Sequence, residues 1–408
     1  MKGYHSHAYS IVGNIKKDYS LSAIVVGFIA TMVSYAGPLL IIFQAAESAN
    51  LSNAQLSSWI WAISIGSGLT GILLSAWFKA PVITAWSTPG AVLLVTGLVS
   101  YSYTDAVGAF IFSALIITFL GVTGLFSSIM QKIPQSITTA MLAGILLKFG
   151  IDVFVSLQQL PILALPMIVC YLICKRLFPR YAVVGTLAVG VLIAYSLGRL
   201  HIGQVPIELV QPVFTMPTFS LDALIGIGIP LCMVTMASQN APGISVIRAE
   251  GYQTPTSPLI SVTGIASVLL APFGSHGINL AAITAAICTG KEAHIDPAKR
   301  YIAGISCGAF YLLFGMFGAT ITSVFSSFPK ELITALTGIA LFASLSSSLS
   351  SAMEDTSQRE SALLTFLVTA SGITLFGIGS AFWGLIAGLA TSFILTGSLK
   401  RKNDQALG

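Results

Sequence analysis

The sequence predicts an all-α polytopic membrane protein: fourteen transmembrane segments forming two inverted seven-helix repeats, with short strands in broken spans three and ten. Three observations carry this reading: sparse charge, the number and polarity of the apolar runs, and an internal repeat. Of 408 residues only 19 are Lys or Arg and 14 Asp or Glu, so 8% are charged while 55% are hydrophobic. Soluble domains carry roughly 25% charge, and a chain this size needs several times more than it has to cover a soluble surface. That excludes a soluble enzyme, a disordered chain and a nucleic-acid binder.

Apolar runs cover 20–44, 56–78, 80–99, 106–130, 134–150, 160–175 and 181–199. After a hydrophilic break around 200–220 they resume at 221–247, 257–271, 272–290, 301–325, 331–350, 361–377 and 380–398. At roughly 20 residues per crossing these are seven spans and seven more; runs shorter than that are expected to be tilted or broken. The positive-inside rule tests the count. With the N-terminus inside, 16 basic residues fall on the cytoplasmic side and only Lys148, Arg199 and Lys330 outside. Both termini are therefore expected in the cytoplasm, and the first 20 residues have no apolar core of the kind a removable signal carries. Cys170, Cys174, Cys232, Cys288 and Cys307 lie within apolar runs without metal-ligand spacing and read as packing residues, so no metal or cofactor is expected.

The halves resemble each other. Ser20-Leu-Ser-Ala23 returns as Ser220-Leu-Asp-Ala223, Ala36–Glu47 as Asn240–Glu250, and Gly121–Ala140 as Gly315–Ala335, in one order and at nearly constant offset. The repeats are read as 1–200 and 221–398. A unit with an odd number of spans crosses in the opposite sense when duplicated, which gives an inverted repeat and suits a site facing either side in turn.

Span three reads Ala80-Pro-Val-Ile-Thr-Ala-Trp86, then Ser87-Thr-Pro-Gly90. Pro81 disfavours continuous helix, Val82–Trp86 suits an extended strand, and Ser87 or Thr88 can cap a new helix with Pro89 in its first turn. Span ten repeats the theme in Ala271-Pro-Phe-Gly-Ser-His276-Gly277-Ile-Asn279. Two half-helices meeting N-terminus to N-terminus would offer amide donors and partial positive charge to an anion at mid-membrane. The alternative is a pair of Pro/Gly kinks.

Side chains at this depth are few. All 14 carboxylates lie at or near span ends, which argues against a carboxylate-based sodium site or proton relay. His276 is the one histidine inside a span, a candidate proton-coupling group with the alternative of a neutral ring bonded to backbone. Gln239 and Asn240 are candidate polar contacts or helix ties; Tyr35 and Trp86 are candidate aromatic walls or core residues.

The Ala-Gly-Pro of span one, APVITAWSTPGAVLL, SQNAPG and APFGSHGINLAAITAAICTG together resemble the bacterial benzoate/proton symporter family, the benzoate membrane transport proteins, across essentially the whole chain. The resemblance implies a uracil-permease type of fold with a core (20–130 plus 221–325) and a gate (134–199 plus 331–398), the ligand lying between the strands and half-helices of spans three and ten. It implies an inner-membrane symporter for benzoate or a related aromatic carboxylate, with the proton as coupling ion and the bilayer as its partner; a homodimer through the gate is a further expectation. Nucleobase permeases of that fold use glutamates in spans eight and ten, where this chain has Gln239/Asn240 and His276. The expected substrate contacts are Tyr35, Trp86, Ser87, Thr88, Gly90, Gln239, Asn240, Gly277 and Asn279. Two alternatives stay open: a transporter or channel for another small anion or a nucleobase, and, remotely, an intramembrane hydrolase using a Ser87–His276 dyad.

Overall fold

The computed structural model describes Asp18 and residues 20–396, apart from 37, 127, 129–133, 179–181, 201–206, 292, 374 and 376–379. The terminal tails and the connection at 376–379 that the sequence reading touched lie outside the described residues. The first half runs α1 (Leu21–Ala36), α2 (Pro38–Ser48), α3 (Asn53–Phe78), β1 (Thr84–Trp86), α4 (Thr88–Gly97), α5 (Tyr103–Val122), α6 (Gln135–Gln159), α7 (Pro161–Leu177) and α8 (Ala182–Ser196). The second runs α9, helical from Leu221 to Ala249, then α10 (Thr256–Leu270), β2 (Ile278–Leu280), α11 (Ile283–Thr289), α12 (Tyr301–Met316), α13 (Gly318–Ser326), α14 (Lys330–Ala352), α15 (Arg359–Ala370) and α16 (Ser380–Thr396).

The protein is mostly helical. Among the described residues seven helices are long and apolar enough to cross a bilayer, or eight when the pair hinged by 70° after Met316 counts as one span. The expected fourteen is not reached: the runs read as spans three and ten are divided, and α7, α8, α15 and α16 have 17, 15, 12 and 17 residues. Span five is longer than its apolar run, ending at Gln159. In span ten, expected as a strand followed by a half-helix within 272–290, the helical part is α11, seven residues beginning at Ile283.

Local chemistry sets the boundaries. Ser52 and Gln55 form a reciprocal capping box at the start of α3, which ends where Lys79 turns left-handed. Within α9, Pro230 and Pro242 are each preceded by a π-turn, Leu224–Gly228 and Met236–Asn240, in which Ile229 and Ala241 donate five residues back to Leu224 and Met236. A proline ring clashes with the carbonyl four residues earlier, and a widened turn moves that carbonyl aside without ending the helix.

The connections sort onto two opposite faces. On one, Tyr301 donates to Asp18 (2.8 Å), Ser22 to the Ala293 carbonyl (3.0 Å), and Tyr252 to that of Pro297 (2.8 Å). On the other, the Val213 amide meets Ser58 (2.9 Å), Thr218 donates to Asp105 (2.7 Å), and Lys330 pairs with Glu47 (2.7 Å). The principal helix pairs are α3 with α12, α5 with α10 and α6 with α14, each joining one half of the chain to the other.

The α3–α12 contact is backbone on backbone. A Cβ on Gly308 would stand 2.7 Å from the Gly68 carbonyl oxygen, and one on Gly68 would stand 2.7 Å from that of Gly308. Gly308→Val therefore forces the helices apart, at the cost of about 1–3 kcal/mol typical of overpacking. The expected outcome is a lowered thermal midpoint in detergent, measured against Gly97→Ala, a helical position whose added Cβ meets only Ile227 at an ordinary 3.5 Å.

Candidate functional site

Two three-residue strands from opposite halves cross at the centre of the molecule. They pair antiparallel, Thr84 opposite Leu280, Ala85 opposite Asn279 and Trp86 opposite Ile278, and every one of the six is buried. Side chains finish the pairing. Ser267 accepts the Ile278 amide (2.8 Å), Ser75 accepts that of Val82 (3.1 Å), and Asn240 Oδ1 accepts that of Leu280 (3.0 Å), tying α9 to β2. Thr70 donates to Thr84 (2.9 Å), which donates onward to the Ser67 carbonyl (2.6 Å).

The chain leaves β1 straight into α4. Ser87 caps this ten-residue helix, its Oγ accepting the Gly90 amide at 3.1 Å and a hydrogen bond from Thr235 at 2.8 Å. The Ser87 carbonyl takes the Ala91 amide, and proline has no N–H, so Thr88 holds the remaining amide of the first turn. After β2 only Ala281 and Ala282 intervene, Ala282 already with helical backbone, and α11 begins at Ile283, too late to place its N-terminus at Gly277–Asn279. The expectation of paired half-helix ends at those residues is corrected accordingly: strand pairing claims the backbone that a helix there would need.

His276 stands behind this junction, 2% exposed. Trp59 Nε1 donates to its Nδ1 (3.0 Å), so the proton lies on Nε2, which donates to the Ser87 carbonyl (2.9 Å). Trp59 is itself fully buried, packed against the imidazole and the rings of Tyr103 and Phe110. The imidazole meets the carbonyl of Ser87 and not its hydroxyl, so the serine–histidine dyad of the hydrolase alternative is not formed.

A cavity of about 510 Å³ opens beside the strands, bounded by α1 and α2, β1, α4, the second π-turn of α9 and the residues entering α11, with α6 and α14 as its opposite wall. That volume is in the range of small-molecule sites. Trp86, Thr88 and Gln239 line it, and no lining side chain carries a charge. The other seven expected site residues stand behind the lining. Tyr35 is edge-on to Trp86 with ring centroids 5.4 Å apart and its hydroxyl 2.5 Å from Ser64; Ser87 and His276 hold the α4 junction, and Asn240 holds β2. Gly90 abuts Leu231, the Gly277 carbonyl accepts the Ser87 amide at 3.3 Å, and Asn279 lies within β2. Two buried donors in the lining, Trp86 Nε1 and Thr284 Oγ1, have no hydrogen-bond partner. An unpaired buried donor is costly, so both leave hydrogen-bonding capacity unused in residues that border the cavity.

Sequence reasoning passed over the opposite wall. Gln135 and Thr139 of α6 and Ser347, Ser348 and Ser351 of α14 face the same cavity. The signal was present: six of the eight residues from 344 to 351 are serine inside an apolar span.

Fold and cavity are those of a polytopic helical membrane protein with a site of small-molecule size at its centre. The sequence matches the family profile "Benzoate membrane transport protein" over residues 17–394, and the chain belongs to that family. It is 43% identical to the benzoate membrane transport protein of Acinetobacter baylyi, over 95% of this chain and 98% of that one. It is 45% identical to the inner membrane protein YdcO of Escherichia coli, over 89% and 93%. Solved structures share the fold at low identity. The chain superposes on SLC26A9 with a TM-score of 0.61 (15% identity, 94% of this chain and 67% of that one) and on the transmembrane domain of the cyanobacterial bicarbonate transporter BicA with 0.59 (14%, 90% and 97%).

Ser87→Ala removes the α4 cap and the acceptor for Thr235. A cap is worth about 1 kcal/mol, so a lower thermal midpoint is expected together with weaker transport. Wild-type protein should take no label from a fluorophosphonate probe; labelling that disappears in Ser87→Ala would restore the hydrolase reading.

Proposed function

We propose that this protein is a secondary active transporter for benzoate or a related aromatic carboxylate, working by proton symport and alternating access. The observation that carries the proposal is the cavity: walled by Trp86, furnished with unpaired buried donors, free of charged side chains and seated on paired broken spans. Its size suits a single aromatic ring with a carboxylate. The family supplies the substrate class, since the Acinetobacter relative bears benzoate transport in its name.

The core comprises 20–130 plus 221–325 and the gate 134–199 plus 331–398, each half of the chain supplying seven crossings in opposite senses. The cross-half pairs α3–α12 and α5–α10 exchange with one another when the halves are swapped, which supports that inverted arrangement. The face carrying Asp18, Ala293 and Tyr301 is cytoplasmic, by the excess of Lys and Arg around it. Both termini then lie in the cytoplasm of a bacterial inner membrane, and the cavity opens inward between the cytoplasmic halves of α6 and α14.

Trp86 Nε1, the Thr88 amide and Thr284 are the donors for the carboxylate, with Gln239 across from them. Tyr35 backs the Trp86 ring. Asn240, Asn279 and Gly277 serve the strand pair, and Ser87 and Gly90 serve the α4 junction. We assign His276 a positioning role in place of direct proton coupling, because Trp59 and the Ser87 carbonyl occupy both its nitrogens and it does not line the cavity. A carboxylate in a cavity without counter-charge is itself the group that burial drives to take a proton, so substrate and coupling proton neutralise each other there.

In proteoliposomes, an inward proton gradient should drive saturable uptake of labelled benzoate, competed by substituted benzoates and not by uracil or sulfate. Voltage-driven currents at channel rates would overturn the symport reading. Trp86→Ala should reduce uptake at least tenfold. His276→Gln should lower the maximal rate while keeping the pH profile of uptake; a flattened profile would return His276 to the coupling step.

A further inference from the structure

A second cavity, of about 740 Å³, lies at the other end of the same seam. The central cavity touches α6 at Gln135–Leu146 and α14 at Ala340–Ser351, whereas this one touches α6 at Lys148–Asp152 and α14 at Lys330–Thr334, with the outer end of α2 opposite. Between the two, Leu40 of α2 is fully buried in one cluster with Val153, Leu336 and Ile339. A side-chain contact just outside that cluster, Gln44 to Thr337 at 3.5 Å, also joins α2 to α14.

The chemistry of the outer cavity differs from that of the inner one. It holds two lysines, Lys148 and Lys330, and two carboxylates, Glu47 and Asp152, beside Phe43, Phe149 and Phe328. Lys330 Nζ is 2.7 Å from Glu47, and the pair is well exposed, at 75% and 63% of side-chain surface. The neighbouring Glu331 faces Arg199 (3.9 Å), so Glu47 is the partner of Lys330 across the seam. Lys148 makes no ion pair within 4.0 Å among the described residues, and the carboxylate that feels its charge is Asp152, one turn along α6 in the same lining. Exposed pairs of this kind are worth little, roughly 0–1 kcal/mol. Another carboxylate can therefore displace Glu47 at small cost.

We propose that the outer cavity is a loading site for small aromatic carboxylates, in which Lys330 exchanges Glu47 for the carboxylate of the substrate and so releases a latch between α2 and α14. The amines of Lys330 and Lys148 receive the carboxylate while the phenylalanine rings receive its apolar body. Loss of the Glu47 bond leaves the Leu40 plug and the Gln44–Thr337 contact as the remaining ties across the outer seam. This rests on the core-and-gate reading given above, with α2 in the core and α6 and α14 in the gate.

The two single substitutions at the latch separate a loading site from a simple brace. In labelled-benzoate uptake, Lys330→Gln should raise KM about fivefold, whereas Glu47→Gln, which frees the lysine, should leave KM unchanged or lower it. Equal rises in both variants would show a brace only and overturn the proposal. The latch also has a readout that needs no substrate. Thr337 is fully buried, and in Thr337→Cys its labelling by a membrane-impermeant maleimide from the periplasmic side, over the background of the native cysteines, should rise at least threefold when Glu47→Gln is added. No rise would overturn the latch. Wild-type protein that takes up no benzoate would instead overturn the transport reading, with the maleimide result still deciding the latch.

Discussion

A peptide group without a hydrogen-bond partner is expensive in hydrocarbon, and this chain interrupts two of its helices deep inside the protein. The pairing of Thr84–Trp86 with Ile278–Leu280 makes that tolerable. Neither segment can be satisfied alone, because three residues of extended chain have no internal hydrogen bonds. Each half of the molecule therefore supplies the partner for the break in the other. Around the pair, Ser75, Ser267 and Asn240 take up backbone groups that the short ladder leaves over. The rest of the central architecture follows: α4 begins where β1 ends, the cavity lies beside the ladder, and α9 is tied to β2 through Asn240.

The same constraint explains why so many of the polar residues near the cavity do not line it. Ser87 is committed to the Gly90 amide and to Thr235, and His276 to Trp59 and the Ser87 carbonyl. These side chains hold α4 against α3, α9 and β2, which fixes the direction in which the Thr88 amide and Trp86 point. The arrangement is a rigid frame carrying a small number of contacts, the form in which a weakly polar site gains its orientation. A protonated imidazole would turn a donor toward the indole N–H of Trp59, so the frame is built for the neutral ring.

The helical membrane architecture was legible in the sequence because charge and hydropathy are summed over long windows and few local accidents disturb them. The discontinuity at span three was legible too: Pro81, a β-branched run and Ser-Thr-Pro are local signals acting within a few residues. Span ten shows the limit. A strand followed by a half-helix was expected there with the helix starting near Gly277–Asn279, yet Asn279 belongs to a ladder whose partner strand lies in the other half of the chain. The bond that defines His276 likewise comes from Trp59, 217 residues away. Interactions of that range leave no trace in spacing. The π-turns before Pro230 and Pro242 are a different case, since each proline marks its own distortion and the rule is visible once seen. The serines of α14 were overlooked because small hydroxyls sit inconspicuously in an apolar run.

That serine wall bears on how an anion leaves. A site that holds a carboxylate by fixed charge binds tightly and releases slowly, whereas transport needs binding weak enough to reverse on the far side. Gln135, Thr139, Ser347, Ser348 and Ser351 offer hydroxyls and amides along the wall facing the strands. Groups of this kind replace part of a hydration shell without a Coulombic trap. The charged residues of the seam, Glu47, Lys148, Asp152 and Lys330, gather instead at its opposite end. On the transport reading proposed above, separating the two chemistries along one interface would give capture among charged groups at one mouth and release through neutral dipoles at the other, with the buried Leu40 and Ile339 as the apolar barrier.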